Sequence, residues 1–284
     1  MKIEYRPLSP TIGAELKINL AEPLDAATYK SLSDIWLDRK VILVRDQHLE
    51  DEDVLRVTHG FGEHEIHVRA EFHSKKHPEI IMISNEKDQG KPIGVLGDAE
   101  APWHVDQIYQ QRPTFGTLVY CLRTPPEGQG GMTYFCNLSA AYDRLPAPLL
   151  KKIEGRRAIH SVEYFNRMNN MAMTEEQLRR MPDVSHPIIR THPVLGTKSL
   201  FFSPGHTSLI EGFSEHESQQ LLKEIEGIAL APDLVMGHSW RVGDVVMWDN
   251  TSSMHRREPF DGSKYIRSMK RVSFMHAPES RVPF

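Results

Sequence analysis

Trp103-His104-Val105-Asp106 is the segment whose residue types point most directly to chemistry. In an extended segment side chains alternate faces, so His104 and Asp106 point the same way and Val105 packs behind them. An imidazole and a carboxylate converging in this manner can hold a metal ion. The third ligand has to come from elsewhere in the chain. His255 is the best candidate, because it follows an apolar run, Asp244–Trp248, and a turn-like Asn250-Thr251-Ser252-Ser253. Two imidazoles and one carboxylate on one side of an ion form the facial triad of non-haem Fe(II) oxygenases. Three protein ligands leave three octahedral positions open, two for a 2-oxo acid and one for O2. The chain has 15 histidines, so a His-x-Asp also arises by chance. His104 as a strand-end residue and His255 as a solvated loop residue stand beside the metal reading.

Arg267 and Arg271 are four apart, which places them on one face of either a strand or a helix. The flanking Val272, Phe274 and Met275 favour a strand. An arginine fork pairs bidentately with a carboxylate and stays charged in a buried pocket. An oxoacid bound through its C1 end needs such an anchor for its far carboxylate. Gly130-Gly131-Met132-Thr133 adds a hydroxyl where a strand resumes after a glycine turn, and Thr133 can donate to the same carboxylate. On residue type alone, a solvated basic strand and an ordinary β-branched residue are the preferred explanations of these positions.

The elements that must position these residues are mostly short. The apolar spacing of Tyr29, Leu32, Ile35 and Trp36 predicts a helix over Asp25–Lys40 that runs straight into a buried strand, Val41–Val44. A second helix is expected over Asp51–Phe61. Ser214–Glu217 has the form of a capping box ahead of Leu221, Leu222, Ile225 and Ile228. Ile80–Ser84, Thr117–Leu122, Thr133–Cys136, Arg157–Val162, Pro187–Arg190, Ser199–Phe202, Val235–Trp240, Asp244–Trp248 and Arg271–Met275 read as strands. Many short strands with few helices point to a jelly roll or a sandwich. Neither a repeat nor a low-complexity linker interrupts residues 1–284, so a single domain is expected.

Composition narrows the function classes. A formal charge of −4 with dispersed Lys and Arg gives no nucleic-acid footprint, and no run is apolar enough to span a bilayer. The N-terminus lacks the apolar core of a signal peptide. Two cysteines, Cys121 and Cys136, make neither a disulfide framework nor a zinc–thiolate site, so a cytoplasmic location is expected. The expected partner is a small-molecule substrate; a homo-oligomer is left open.

These segments, in this order, resemble the taurine dioxygenase and 2,4-dichlorophenoxyacetate dioxygenase family of 2-oxoglutarate-dependent oxygenases. The resemblance runs from Ile12-Gly13-Ala14-Glu15-Leu16 through Val44–Leu49, Trp103–Asp106, Gly130–Thr133 and Arg190-Thr191-His192-Pro193 to Trp248-Asp249-Asn250, His255 and Arg267–Arg271. It implies a double-stranded β-helix, a jelly roll with helices packed outside. It implies Fe(II) held by His104, Asp106 and His255, with 2-oxoglutarate and O2 as cosubstrates. Thr133 and Arg267 match the residues holding the distal carboxylate of 2-oxoglutarate. Arg271 matches an arginine that borders the oxoacid and, in the taurine enzyme, the substrate sulfonate, which His67 also touches. Met132 stands where the family has an acid, Ala70 where a taurine enzyme has tyrosine, and His206 where it has phenylalanine. The iron and oxoacid positions are thus kept, while the taurine pocket is not, and His206 is expected to replace a flat apolar wall by a polar one.

The implied reaction is hydroxylation of an unactivated C–H of a small organic substrate, with release of succinate and CO2, and an anionic group of that substrate is expected to face Arg271. Desaturation or ring-forming oxidation of a neutral natural-product intermediate is the alternative outcome. A zinc hydrolase has no use for the Arg267 anchor, and a non-catalytic metal-binding jelly roll has no use for the complete set. The methionine-rich stretch Met168–Met173 resembles the family's region near the active site, and a loop with packed methionines explains it equally well.

Overall fold

Asp25 caps the first helix, Ala26–Arg39, by accepting a hydrogen bond from the Thr28 N–H at 2.7 Å. The helix ends at Lys40, whose φ of 64° turns the chain directly into the strand Val41–Val44. Leu32, Ile35 and Trp36 are buried, as their spacing predicts. The Trp36 indole meets Phe61, Phe115 and Phe274 at centroid distances of 5.4, 5.4 and 5.8 Å, edge-on or tilted. Gly116 permits this approach, because a Cβ there would lie 2.2 Å from the Phe274 ring.

The structure is a computed structural model and describes residues 3–67, 69–168 and 174–276. Two sheets face each other. The larger has the order Glu4–Pro7, Ala14–Lys17, Val41–Val44, Val245–Asp249, Gly116–Arg123, Ser268–Met275, Ile80–Ser84, Val95–Leu96, with Glu63–His64 also paired to Ser268–Met275. The smaller has the order Val235–His238, Thr133–Asn137, Ser253–Arg257, Ala101–His104.

Strand alternation sorts the side chains into three cores. Ile42, Val44, Leu118, Tyr120, Val272 and Phe274 pack with Leu32 and Trp36 of the first helix. Val41, Leu43, Val119, Cys121 and Met269 point inward, against Phe135 and Trp248 between the sheets. Behind the smaller sheet, Cys136 and Met254 pack with Leu221, Leu222 and Ile225 of the helix Glu215–Ala229. That helix begins with the expected capping box, Ser214 and Glu217 bonding each other's backbone. Helices therefore cover the outer faces of a double-stranded β-helix, and its interior is left for a site. Both cysteines are free and buried. Among the described residues no helix is long and apolar enough to cross a membrane.

Several expected strands differ in extent; Ser199–Phe202 is Lys198–Leu200, and the strand expected over Arg271–Met275 already begins at Ser268. Pro187–Arg190 is two strands, Val184–Pro187 and Ile189–Thr191, pairing with different partners and separated by the buried Ile188. Arg157–Val162 stops at His160, where Val162 opens a short helix. Val235–Trp240 stops at His238, which frees Trp240 to turn into the interior. Residues Asn169–Met173 of the methionine-rich stretch lie outside the described residues; Met168 is exposed.

Candidate active site

The smaller sheet brings the metal-ligand candidates together. His104 ends the strand Ala101–His104 and pairs in register with His255 on Ser253–Arg257, so their rings lie 4.1 Å apart. Asp106 reaches them by a turn, because the strand stops at His104 and Gln107 takes φ 49°. Val105 is buried behind the smaller sheet, on the side expected from alternation. Asp106 Oδ1 stands 3.8 Å from His104 Nε2 and 3.9 Å from His255 Nε2. No two ligand atoms of the three residues are more than 4.8 Å apart, and among the described residues no other such cluster of His, Cys, Asp or Glu occurs. A point equidistant from three atoms so spaced lies roughly 2.5 Å from each, against about 2.0–2.2 Å for N and O donors on zinc, a comparable divalent ion. A small inward movement completes the coordination, so the donor set fits.

The protonation states also suit a metal. His104 Nδ1 lies 2.7 Å from the Pro102 carbonyl, which can only accept, so Nδ1 carries the proton and Nε2 offers its lone pair. Burial holds the pKa of His104 below the usual histidine range and that of His255 well below it, so both rings are neutral near pH 7. Burial works to raise the Asp106 carboxyl. The charge of Arg271, whose Nη2 lies 3.0 Å from Oδ1, chiefly outweighs it, helped by the Thr117 hydrogen bond, and keeps the Asp106 pKa well below the ordinary carboxylate range.

The larger sheet supplies the cations from the opposite wall. Arg271 lies on Ser268–Met275 between Val119 and Ile81 of the neighbouring strands. Arg267 immediately precedes that strand, and Arg267, Met269 and Arg271 line one cavity, as their parity predicts. That cavity runs from His104, Asp106 and His255 to Thr133, Trp240 and Arg267. Thr133 Oγ1 accepts from Trp240 Nε1 at 2.9 Å, which leaves the hydroxyl proton free to be donated. Arg267 is 4% exposed and its Nε has no hydrogen-bond partner. Burial first, and then the Arg257 charge, pull its pKa down to about 9. A buried guanidinium without a carboxylate among the described residues is a site prepared for an anion.

A second, open cavity of about 330 Å³ shares His104 and Asp106 with the first. His67 and Arg69 line it, as do Tyr109, Phe165 and His206. Arg271 borders both cavities. His206 brings an aromatic face and no charge to this wall. Its ring stacks on Phe165 at 4.4 Å and 7° and on Tyr109 at 5.3 Å and 28°, and burial, with His104 nearby, brings its pKa down to about 3. It therefore presents a neutral flat ring. Burial and the Arg271 charge likewise lower His67 to about 4.

Sequence reading passed over Trp240 and Arg257. Arg257 donates to the carbonyls of Leu96, Gly97 and Ala99 and so ties the rim segment to the smaller sheet. Its place two residues after His255 on one strand is a signal that could have found it. Trp240 acts through a contact across 107 sequence positions, for which no local pattern exists.

The family model for taurine catabolism dioxygenase TauD, TfdA family, matches residues 4–273. The chain belongs to the TauD/TfdA family. Its relatives include two alpha-ketoglutarate-dependent 2,4-dichlorophenoxyacetate dioxygenases. The one from Burkholderia sp. is 36% identical over 92% of this chain and 91% of its own length. That from Cupriavidus pinatubonensis is 32% identical over 92% and 94%. The solved structure of AAD-2 in complex with Mn(II) and N-oxalylglycine superposes with a TM-score of 0.83 at 27% identity, covering 99% of this chain and 100% of that one. As a TauD/TfdA member the protein is an Fe(II)- and 2-oxoglutarate-dependent dioxygenase acting on a small molecule, with O2 as cosubstrate.

Proposed function

We propose that His104, Asp106 and His255 hold the iron, that Thr133 and Arg267 hold the distal carboxylate of 2-oxoglutarate, and that the enzyme hydroxylates a small aromatic carboxylate. Bound Fe(II) supplies the site at which O2 is activated and 2-oxoglutarate is oxidised to succinate and CO2. The protein's own residues do the rest. Arg267 offers its fork and Thr133 its hydroxyl proton to one end of the oxoacid. The apolar walls Met269, Val119 and Trp248 exclude water from the cavity between.

The observation that carries the substrate class is the second cavity. Arg271, whose buried Nε lacks a partner, lines it together with His67 and the exposed Arg69. Its other wall is the Phe165–His206–Tyr109 stack. A carboxylate directed to Arg271 places an attached ring against that stack and an intervening carbon beside the three ligands. The relatives named for 2,4-dichlorophenoxyacetate and for (S)-phenoxypropionate, the latter 30% identical, act on molecules of this shape. Comparing aryloxyalkanoic acids with their methyl esters, by succinate release in wild type and Arg271→Gln, tests the proposal. Wild type should prefer the acid and the variant should lose that preference. Equal turnover of acid and ester by wild type contradicts an anionic substrate.

A further inference from the structure

Asp106 has two carboxylate oxygens, and only one of them faces the other ligands. Oδ1 looks toward His104, His255 and Arg271. Oδ2 accepts a hydrogen bond from Thr117 Oγ1 at 2.7 Å. Thr117 is fully buried on Gly116–Arg123, a strand of the opposite sheet. Its hydroxyl has one proton, and the direction of that proton is fixed by a further contact. Asn250 Nδ2 donates to Thr117 Oγ1 at 3.0 Å, so the Thr117 proton is directed to Asp106. The Asn250 amide is itself oriented, because its Oδ1 accepts from the Asp106 N–H at 3.3 Å and from Trp248 Nε1 at 3.1 Å. Asn250 thus grips Asp106 at both ends, at the backbone directly and at the carboxylate through Thr117.

The turn carrying Asn250 is held by a buried network behind it. Asp249 accepts from Thr251 N at 2.7 Å and from Ser252 Oγ, and lies 3.2 Å from His192 Nε2. His192 Nδ1 accepts from the N–H groups of Val194 and Leu195, so Nε2 carries the proton that reaches Asp249. Asp249, Asn250 and Ser252 are fully buried and His192 is nearly so. Arg190-Thr191-His192-Pro193 and Trp248-Asp249-Asn250, two segments that carry the family resemblance, therefore meet in one device.

We infer that Thr117, oriented by Asn250, is a positioning residue that keeps Asp106 a one-oxygen ligand. The inference rests on the assignment of Asp106 to the metal. A carboxylate free at both oxygens can occupy two coordination positions. With Oδ2 tied back to Thr117, Asp106 takes only one. Together with His104 and His255 it then leaves three positions, the number that a bidentate oxoacid and O2 require. The hydroxyl's effect is therefore exerted on oxoacid binding more than on metal binding.

The test measures the two affinities separately in the full-length protein under anaerobic conditions. Fe(II) affinity is read by equilibrium titration, and 2-oxoglutarate affinity by the charge-transfer absorption of the Fe(II)–oxoacid chelate. Thr117→Val keeps the shape and removes the hydroxyl, Thr117→Ala removes it with a different packing, and Thr117→Ser restores it. The expected result is 2-oxoglutarate binding weakened by about tenfold or more in both hydroxyl-free variants, Fe(II) affinity equal to or tighter than wild type, and Thr117→Ser close to wild type. Losses that follow side-chain volume rather than the hydroxyl overturn the inference, as does a parallel weakening of both ligands. Asp106→Ala serves as the control for the underlying assignment. If it binds Fe(II) like wild type, the ligand assignment is wrong. If it loses Fe(II) while Thr117→Val retains wild-type affinity for both ligands, only the positioning role is refuted.

Discussion

Replacing Arg267 by Met should stabilise the ligand-free protein and weaken 2-oxoglutarate binding, two effects of opposite sign from one substitution. Arg267 is 4% exposed, and burial has moved its pKa from 12.5 to about 9. At about 1.4 kcal/mol for each factor of ten, that displacement corresponds to roughly 5 kcal/mol held against the charged form in the fold. The sign follows from linkage: for a base whose folded pKa is depressed, the penalty is fully present below the folded value, here throughout the neutral range, and vanishes only above the unfolded one. Methionine retains the apolar stem, at the loss of the guanidinium's place 5.5 Å over the Trp240 ring, a contact worth about 0.5–2 kcal/mol. A net gain of at least about 1 kcal/mol in ligand-free stability is the expected balance. The same substitution removes a charge-assisted pair worth about 1.5–3 kcal/mol, or roughly ten- to a hundredfold in the KM for 2-oxoglutarate. Urea unfolding of the ligand-free protein, with succinate release titrated against 2-oxoglutarate, measures both. A variant that is less stable than wild type and has an unchanged KM would refute the reasoning.

Thr133→Ala should raise the KM for 2-oxoglutarate less than Arg267→Met does, by about tenfold or less, because it removes one hydrogen bond and no charge; a larger rise than in Arg267→Met reverses the assigned roles. His160 is fully buried, 3.0 Å from Thr207 Oγ1, and burial, with His186 beside it, lowers its pKa to about 3. Below the unfolded value of about 6.5 the unfolded chain gains a proton that the fold refuses, so stability falls by about 1.4 kcal/mol per pH unit from this group until pH approaches 3. His160→Gln should flatten the loss of stability between pH 6.5 and 4.5 by one proton and leave Fe(II) binding intact; an unchanged slope contradicts a buried neutral His160.

How much of this could be read from the sequence depended on the distance over which each contact acts. The first helix and its strand were legible because Asp25, the Leu32–Trp36 spacing and the apolar Val41–Val44 run are local signals. The pairing of His104 with Asp106 was legible too, although a turn and not strand alternation brings Asp106 round. His255, Thr133 and Arg267 could be nominated from residue type, but choosing them over the blander readings required the family resemblance, since antiparallel registers such as His255↔His104 leave no trace in any single segment. The stacking of His206 was not legible from residue type. An imidazole stacked between Phe165 and Tyr109 loses its charge to burial and serves as an aromatic plate. Trp240 and the Thr117–Asn250 relay join residues more than a hundred positions apart and became visible only when the two sheets were in place.

The central claim is that His104, Asp106 and His255 together hold one iron. Anaerobic Fe(II) titration of the wild type, with bound iron counted after gel filtration in the presence of 2-oxoglutarate, tests it most directly. The account predicts one Fe(II) per chain in wild type, with loss of bound iron and of 2-oxoglutarate-dependent O2 uptake in His104→Ala, Asp106→Ala and His255→Ala. Stoichiometric iron and near-normal turnover in Asp106→Ala would contradict it.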